Sequence, residues 1–363
     1  MVDRNKSRAE AELKHFRTFK LPPRGFDALA ASDRELMFHG FPRRPNPETH
    51  PVLAEKWSRI ADRHFEFIDP KLEAAPFKRN VDVALIERRR FMQEELLRYE
   101  RKETARDRGQ LLFDLTKVFD LPLSDRVNLK SRLPDLLALL PETSSNWSGA
   151  YVKRPVSESL MTVTGQWNVN GVSPPWSAKG LADGTYLCGV WVGIDGTAGT
   201  NDVLQAGTGS QCVVTGGKFV STSFFAWTEW FSLGSVVVVN FPVAVGDEIS
   251  CTVCAPFGNT HGTALFNNLT SGLTTTIGIN PPAGVSLSGN VAEWIVEDPT
   301  TASNTLYPFP NYGSTFFNGC TAGTKSFEFN LSQAKEIDMV QGGVTLSSGV
   351  IQNKSALWCH YGP

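Results

Sequence analysis

Six histidines in 363 residues are few, and they are scattered. His15, His39, His50 and His64 lie in the first part and only His261 and His360 in the rest, with no H-E-x-x-H and no His/carboxylate group at ligand spacing. A catalytic zinc is therefore not expected, and neither is any other metal or cofactor. There is no G-x-S-x-G, and the shortage of histidine leaves a Ser-His-Asp set poorly supported. No glycine loop precedes a helix in the manner that cradles phosphate. Cys251 and Cys254 form a lone C-x-x-C without the second pair of a zinc finger. They sit in a strand-like stretch, Glu248–Cys254, where buried free thiols are expected. All six cysteines fall after residue 187; an even number permits disulfides without establishing them. The segment Met1–Lys6 lacks the apolar core of a secretory leader. No window reaches the ~18 apolar residues of a membrane span. The expectation is a chain with no membrane contact, cytoplasmic or exported by a non-classical route. The Arg43-Arg44 pair lacks the aromatic interleaving of a nucleic-acid site, so no such partner is expected.

Charge is present but uneven. Residues 1–140 hold 28 Lys+Arg and 23 Asp+Glu, a net +5; the remainder holds 7 basic and 14 acidic residues, a net −7. This shift near Pro141 divides the chain into a charged region, 1–142, and a second domain, 143–363. Proline at 22, 23, 42, 45 and 47 makes residues 1–52 an extended arm that packs on something else. Apolar spacing of three and four predicts helix over 53–68 and over about 81–108, with shorter helices at 109–119 and 131–140. From Ser144 the pattern changes to period two, broken by Gly, Asn, Pro and Ser. Many short strands, among them 186–195, 202–206, 210–217, 219–232, 247–255, 273–279 and 290–297, predict an antiparallel β-sandwich or jelly roll.

Within those strands, carboxylates and tryptophans share faces. In Val291–Glu297, alternation places Val291, Glu293, Ile295 and Glu297 on one side and Ala292, Trp294 and Val296 on the other. Trp191 and Asp195 share a face, as do Trp227 and Glu229. Gln205 stands in a short apolar segment, where a buried amide is costly unless its polar atoms are used. Each item alone fits a solvated rim or a tryptophan core. Their recurrence favours a groove for an extended polymer.

At this point the residues resemble a known family. Ser145–Ala150 (SNWSGA), Trp191–Gly196 (WVGIDG), Leu204–Gly207 (LQAG), Trp227–Trp230 (WTEW), Ala292–Asp298 (AEWIVED) and Pro308-Phe309 occur in the order and spacing of the glutamic peptidases, or eqolisins. The resemblance implies an all-β catalytic domain, an antiparallel, lectin-like (concanavalin-like) sandwich of two curved sheets, preceded here by a mostly α-helical region. It implies a catalytic dyad of Gln205 and Glu297, with Trp191, Asp195, Trp227 and Glu229 lining the cleft, and hydrolysis of proteins or peptides in acid by a monomer. Residues 1–142 then stand as a propeptide inhibitory in cis, against the alternative of a permanent helical domain. The dibasic linker of fungal propeptides is replaced by Leu139–Thr143. The usual Val-Pro after the second motif strand is Val169-Asn170, and Gly199 and Ser288 stand where fungal members carry a cysteine pair. The competing reading is a carbohydrate-binding or glycoside-hydrolysing sandwich with Glu229 and Glu297 as its carboxylate pair.

Overall fold

A computed structural model describes residues 13–75, 77–78, 141–154, 158–177, 179–197, 202–231, 233–255, 261–281, 284–301 and 305–362. The helices expected at 81–108, 109–119 and 131–140 lie outside the described residues. Most of what is described is strand, joined into one large, mainly antiparallel sheet. The strand Val291–Glu297 is central to it. It pairs on one side with Gly184–Asp195 and on the other with Trp147–Lys153, and all seven of its residues are buried. A solvated edge strand is thereby ruled out.

The neighbours build outward from it in a first layer. Gly184–Asp195 pairs with Val203–Thr215, then Lys218–Trp230, then Val236–Val238; on the other flank Trp147–Lys153 pairs with Ala334–Gln341. A second layer runs Leu273–Ile279, Gly262–Asn268, Glu248–Cys254, Thr162–Asn168, Ser314–Gly323, Ala356–Tyr361, Val344–Asn353. Val344–Asn353 also pairs with Ala334–Gln341, so the sheet folds back on itself there. Two tryptophans tie the layers face to face. Trp294 Nε1 donates to the Thr164 carbonyl at 2.8 Å, and Trp167 Nε1 donates to Thr208 Oγ1 at 3.0 Å. Each ring is buried and spends its one polar atom, the condition under which tryptophan suits a core. Ala292, Trp294 and Val296 join the main core between the layers, as alternation requires. All six cysteines are free and buried, and burial holds the Cys251 and Cys254 thiols above their ordinary range.

The described N-terminal part is not mostly helical. It holds two short helices, Asp33–Phe38 and Pro51–Ala61, and four short strands. The first helix starts at a capping box: Glu35 N donates to Ser32 Oγ while the Glu35 carboxylate accepts from Ser32 N. The second ends at Ala61, short of the expected 68, and Glu66–Phe67 instead runs parallel to Leu273–Thr274. The N-terminal part packs on the sheet. Phe16–Thr18 adds to the edge strand Leu273–Ile279 of the second layer, and Leu72–Ala74 adds to the edge strand Val236–Val238 of the first. Both sheet edges are covered, which removes two surfaces prone to intermolecular pairing. Among the described residues, no helix is long and apolar enough to cross a membrane.

Candidate active site

The outer face of the first layer, turned away from the main core, gathers most of the candidate residues. It carries a second cluster of buried side chains that includes Trp147, Tyr151, Trp191, Trp227, Ile295 and Phe77. Two close approaches let the large rings lie across the strands. A Cβ on Gly207 would stand 2.6 Å from Trp191 Cα and 2.0 Å from the Val190 carbonyl, and one on Gly209 would meet the Phe225 ring at 2.4 Å. Any side chain at either position would push the strand or the ring off the face.

Gln205 is fully buried, and Gly193 and Glu229 flank it on the neighbouring strands. Its Nε2 donates to Glu229 Oε2 at 3.1 Å, and Ser235 Oγ donates to the same oxygen at 3.1 Å. That contact fixes which end of the amide is nitrogen. It uses one of the two N–H groups and leaves the other to point elsewhere. Gln205 Oε1 has no protein partner among the described residues, which is uncommon for a buried amide oxygen. Thr228 Oγ1 donates to the Gln205 carbonyl at 2.8 Å and steadies the backbone.

Glu297 is fully buried and accepts from Trp191 Nε1 at 2.7 Å through Oε2. Trp191 in turn meets Trp147 edge to face at 5.0 Å. Just beyond, Asp298 is held by the Ser145-Asn146 stretch: Asp298 N donates to the Asn146 carbonyl at 2.8 Å, and Gln341 Nε2 reaches both Asp298 Oδ2 and the Ser145 carbonyl at 2.8 Å. The register also brings in Glu293, which pairs with Gly193 and so stands level with Gln205 across a residue that has no side chain. Glu297 pairs with Gly189, four residues further along. At ~3.3 Å per residue and ~4.8 Å between strands, the Gln205 and Glu297 Cα atoms are roughly 16 Å apart on a flat sheet. That flat spacing is an upper bound, because twist and coiling of a sheet shorten its diagonals.

Asp195, expected to line the cleft, is used differently. It closes its strand with φ of 67°, a left-handed conformation uncommon outside glycine. Its carboxylate accepts from the backbone N–H of Gly289 and Asn290 at 2.6 Å and of Val291 at 3.4 Å. It therefore fixes the entry to the central strand. Burial, reinforced by the nearby Asp202 charge, raises the Asp195 carboxyl to about 6. A carboxyl with a folded pKa above its unfolded value gives stability that is full below about 3.8 and lost as pH rises through about 6. The size is on the order of 3 kcal/mol at most. Asp195→Asn is expected to be less stable throughout, because an amide offers those donors one acceptor oxygen. It is also expected to lose much of the wild type's gain in stability between pH 7 and pH 4. Urea unfolding at the two pH values checks this, and an unchanged pH slope would contradict it.

Ser235, Phe225 and Phe77 carry no motif signal. Only the strand pairing reveals them. Phe77 is buried, stacks on Phe225 at 5.6 Å and meets Trp227 edge to face at 6.1 Å. Its strand, Phe77–Lys78, pairs with Thr300–Thr301, three residues past Glu297.

The chain is similar to known proteins in sequence and in fold. A family model described as the peptidase A4 family matches residues 145–361. Aspergillopepsin-2 of Aspergillus niger is 30% identical over 227 residues, covering 59% of this chain and 77% of that protein. Scytalidopepsin B of Scytalidium lignicola is 30% identical over 154 residues, covering 42% of this chain and 52% of that protein. In fold, a crystal structure of scytalido-glutamic peptidase with a transition state analog inhibitor matches with a TM-score of 0.51 at 23% identity, over 60% of this chain and 98% of that one. With the family model spanning more than half of its length, the chain belongs to the peptidase A4 family and is a glutamic peptidase.

Proposed function

We propose that the protein is an acid-acting endopeptidase whose dyad is Gln205 and Glu297, carried on the outer face of one layer of a lectin-like sandwich. The observation that carries this reading is the anchoring of each group by a different neighbour on one face: the Gln205 amide by Glu229, the Glu297 carboxylate by Trp191. Glu297 takes a proton from the water that attacks the scissile carbonyl and passes it to the leaving amine. The second N–H of Gln205 donates to the developing oxyanion. Because Gln205 carries no charge, it is not a second carboxylate that would have to share a proton with Glu297.

Glu229 spends Oε2 on Gln205 and Ser235, which makes it an orienting group and not the partner of a glycosidase pair. Glu229→Ala is therefore expected to lower kcat for a peptide about 10- to 100-fold through misorientation of the Gln205 donor, with a small change in KM. A steady-state titration separates the two parameters, and a change in KM alone would contradict the assignment. The broader test is to assay the acid-treated protein on casein and on xylan at pH 3–4. New peptide N-termini from casein support the reading; reducing sugar from xylan without peptide cleavage refutes it.

The same face accounts for a latent full-length form. Gln205, Trp191, Trp227 and Glu297 are buried on a surface that would have to admit a polymer, and Ala75 and Phe77 of the N-terminal part pack over it. From Leu72–Ala74 on the strand Val236–Val238 to Phe77–Lys78 on Thr300–Thr301, this segment passes from the Trp227 side of the cleft to the Glu297 side. Ala75 and Phe77 thus belong to a cover held in cis, and loss or release of that cover opens the site.

A further inference from the structure

On the far side of the sandwich, helix Pro51–Ala61 does not seal against the second layer. Between them lies a cavity of about 420 Å³, within the ~300–1,000 Å³ range of small-molecule sites. Leu53, Trp57, Ile60, Met161 and Leu265 give it an apolar lining, and threonines 162, 164 and 252 of the second layer add hydroxyls to its wall. Its charged lining is all of one sign. Arg43, Arg44, Lys56 and Lys325 contribute to the wall, and no Asp or Glu does.

Two of these cations are not neutralised. Arg43 has Asp33 at 3.6 Å. Arg44 spends its guanidinium on the neutral carbonyls of Ala28, Leu29 and Ala31 and lies 5.0 Å over the Trp57 ring. Neither Arg44 nor Lys56 has a carboxylate within 4 Å among the described residues. Lys56 is partly buried, and its Nζ lies against Gly319, where an added Cβ would meet it at 1.9 Å. Burial lowers its ammonium to about 8, with Arg59 pushing the same way; Cys320, Glu328 and Glu55 only partly offset this. An ammonium held in an apolar wall is costly unless an anion meets it.

We infer that this cavity is a binding site for a small anionic amphiphile, a single-chain carboxylate whose tail fills the apolar space and whose head meets Lys56. A neutral molecule of the same shape would leave the Lys56 ammonium without an anion, and a cationic one would add to a wall whose charges are all positive. The site stands apart from the outer face that holds Gln205 and Glu297, and the inference does not depend on the peptidase reading. The arm supplies one wall and the second layer the other, so occupancy also couples the arm to the sandwich.

The test is calorimetric titration of the full chain with decanoate below its micelle concentration, beside decyltrimethylammonium at the same concentrations. Lys56→Met keeps the length and apolar stem of the side chain and removes the charge. Saturable one-site binding of decanoate is expected, at least 10-fold weaker in Lys56→Met, with no saturable binding of the cationic amphiphile. Ala61→Phe, at the cavity wall, is a second variant expected to weaken decanoate binding by filling space without altering charge. Absence of saturable decanoate binding, equal affinity in Lys56→Met, or equally tight binding of the cationic amphiphile would overturn the assignment.

Discussion

Gln205→Ala is expected to lower kcat/KM for peptide hydrolysis by roughly 10²–10³, the loss of about 2.7–4 kcal/mol typical of one oxyanion donor. The interaction exists only when charge develops on the carbonyl oxygen, so the fall should be in kcat with KM little changed. The fold should survive, because Glu229 keeps its bond from Ser235 and the strand ladder through Gly193 and Glu229 is backbone. Glu297→Gln should lose at least as much, since an amide is no base at any working pH. It preserves shape and leaves an oxygen for Trp191 Nε1. Steady-state kinetics at acid pH, with thermal unfolding of each variant as the folding control, measure both. Wild-type rates in a folded Gln205→Ala would remove the oxyanion role.

The second large effect concerns the cover. Phe77 is buried against Phe225 and Trp227, and truncating such a ring typically costs ~3–5 kcal/mol. If that contact holds the N-terminal segment over the site, Phe77→Ala should shift the closed-to-open balance by up to that amount. The intact variant should then cleave a short fluorogenic peptide at least 10-fold faster than the intact wild type. Mass spectrometry must show both chains uncut during the assay. Acid should act in the same direction. Protonating carboxylates of the net −7 domain weakens its attraction for the net +5 region, so incubation at pH 3–4 should open or process the wild type. Equal and full activity of intact wild type and variant would show that Phe77 does not hold a cover over the cleft.

The strand 291–297 and its two faces were legible from alternation, but burial of both faces was not, because two glutamates on one face read equally well as a solvated rim. The run 203–215 was not legible. Gly207-Thr208-Gly209 looks like a break between two short strands, yet it lies inside one of thirteen residues. A side chain at Gly207 would meet the Val190 carbonyl and Trp191 Cα of the neighbouring strand, and one at Gly209 the Phe225 ring, a requirement set across the sheet and invisible along the chain. Trp147–Lys153 was recognised as a motif but not as a strand. Its Ser-Gly-Ala centre has weak strand propensity and becomes strand by pairing on both sides. The arm strands are two or three residues long, too short for any periodicity. The resemblance named Trp191 and Glu229 only as cleft residues; their bonds to Glu297 and Gln205 emerge from the strand pairing. Asp195 shared its face with Trp191 by parity, but the positive φ at the strand end turns its carboxylate to the loop at 289–291. Ser235 had no signal, because a lone serine gains meaning only from the carboxylate it meets.

One comparison goes to the centre of the account. Strand register places Glu293 level with Gln205, whereas the mechanism assigns the base to Glu297, four residues along on the same face. Kinetics of Glu293→Gln and Glu297→Gln on one peptide at acid pH, each as the activated protein and each shown to be folded, separate them. Glu297→Gln is expected to lose at least 10²-fold in kcat/KM while Glu293→Gln retains activity within about 10-fold. An inactive Glu293→Gln beside an active Glu297→Gln would contradict it.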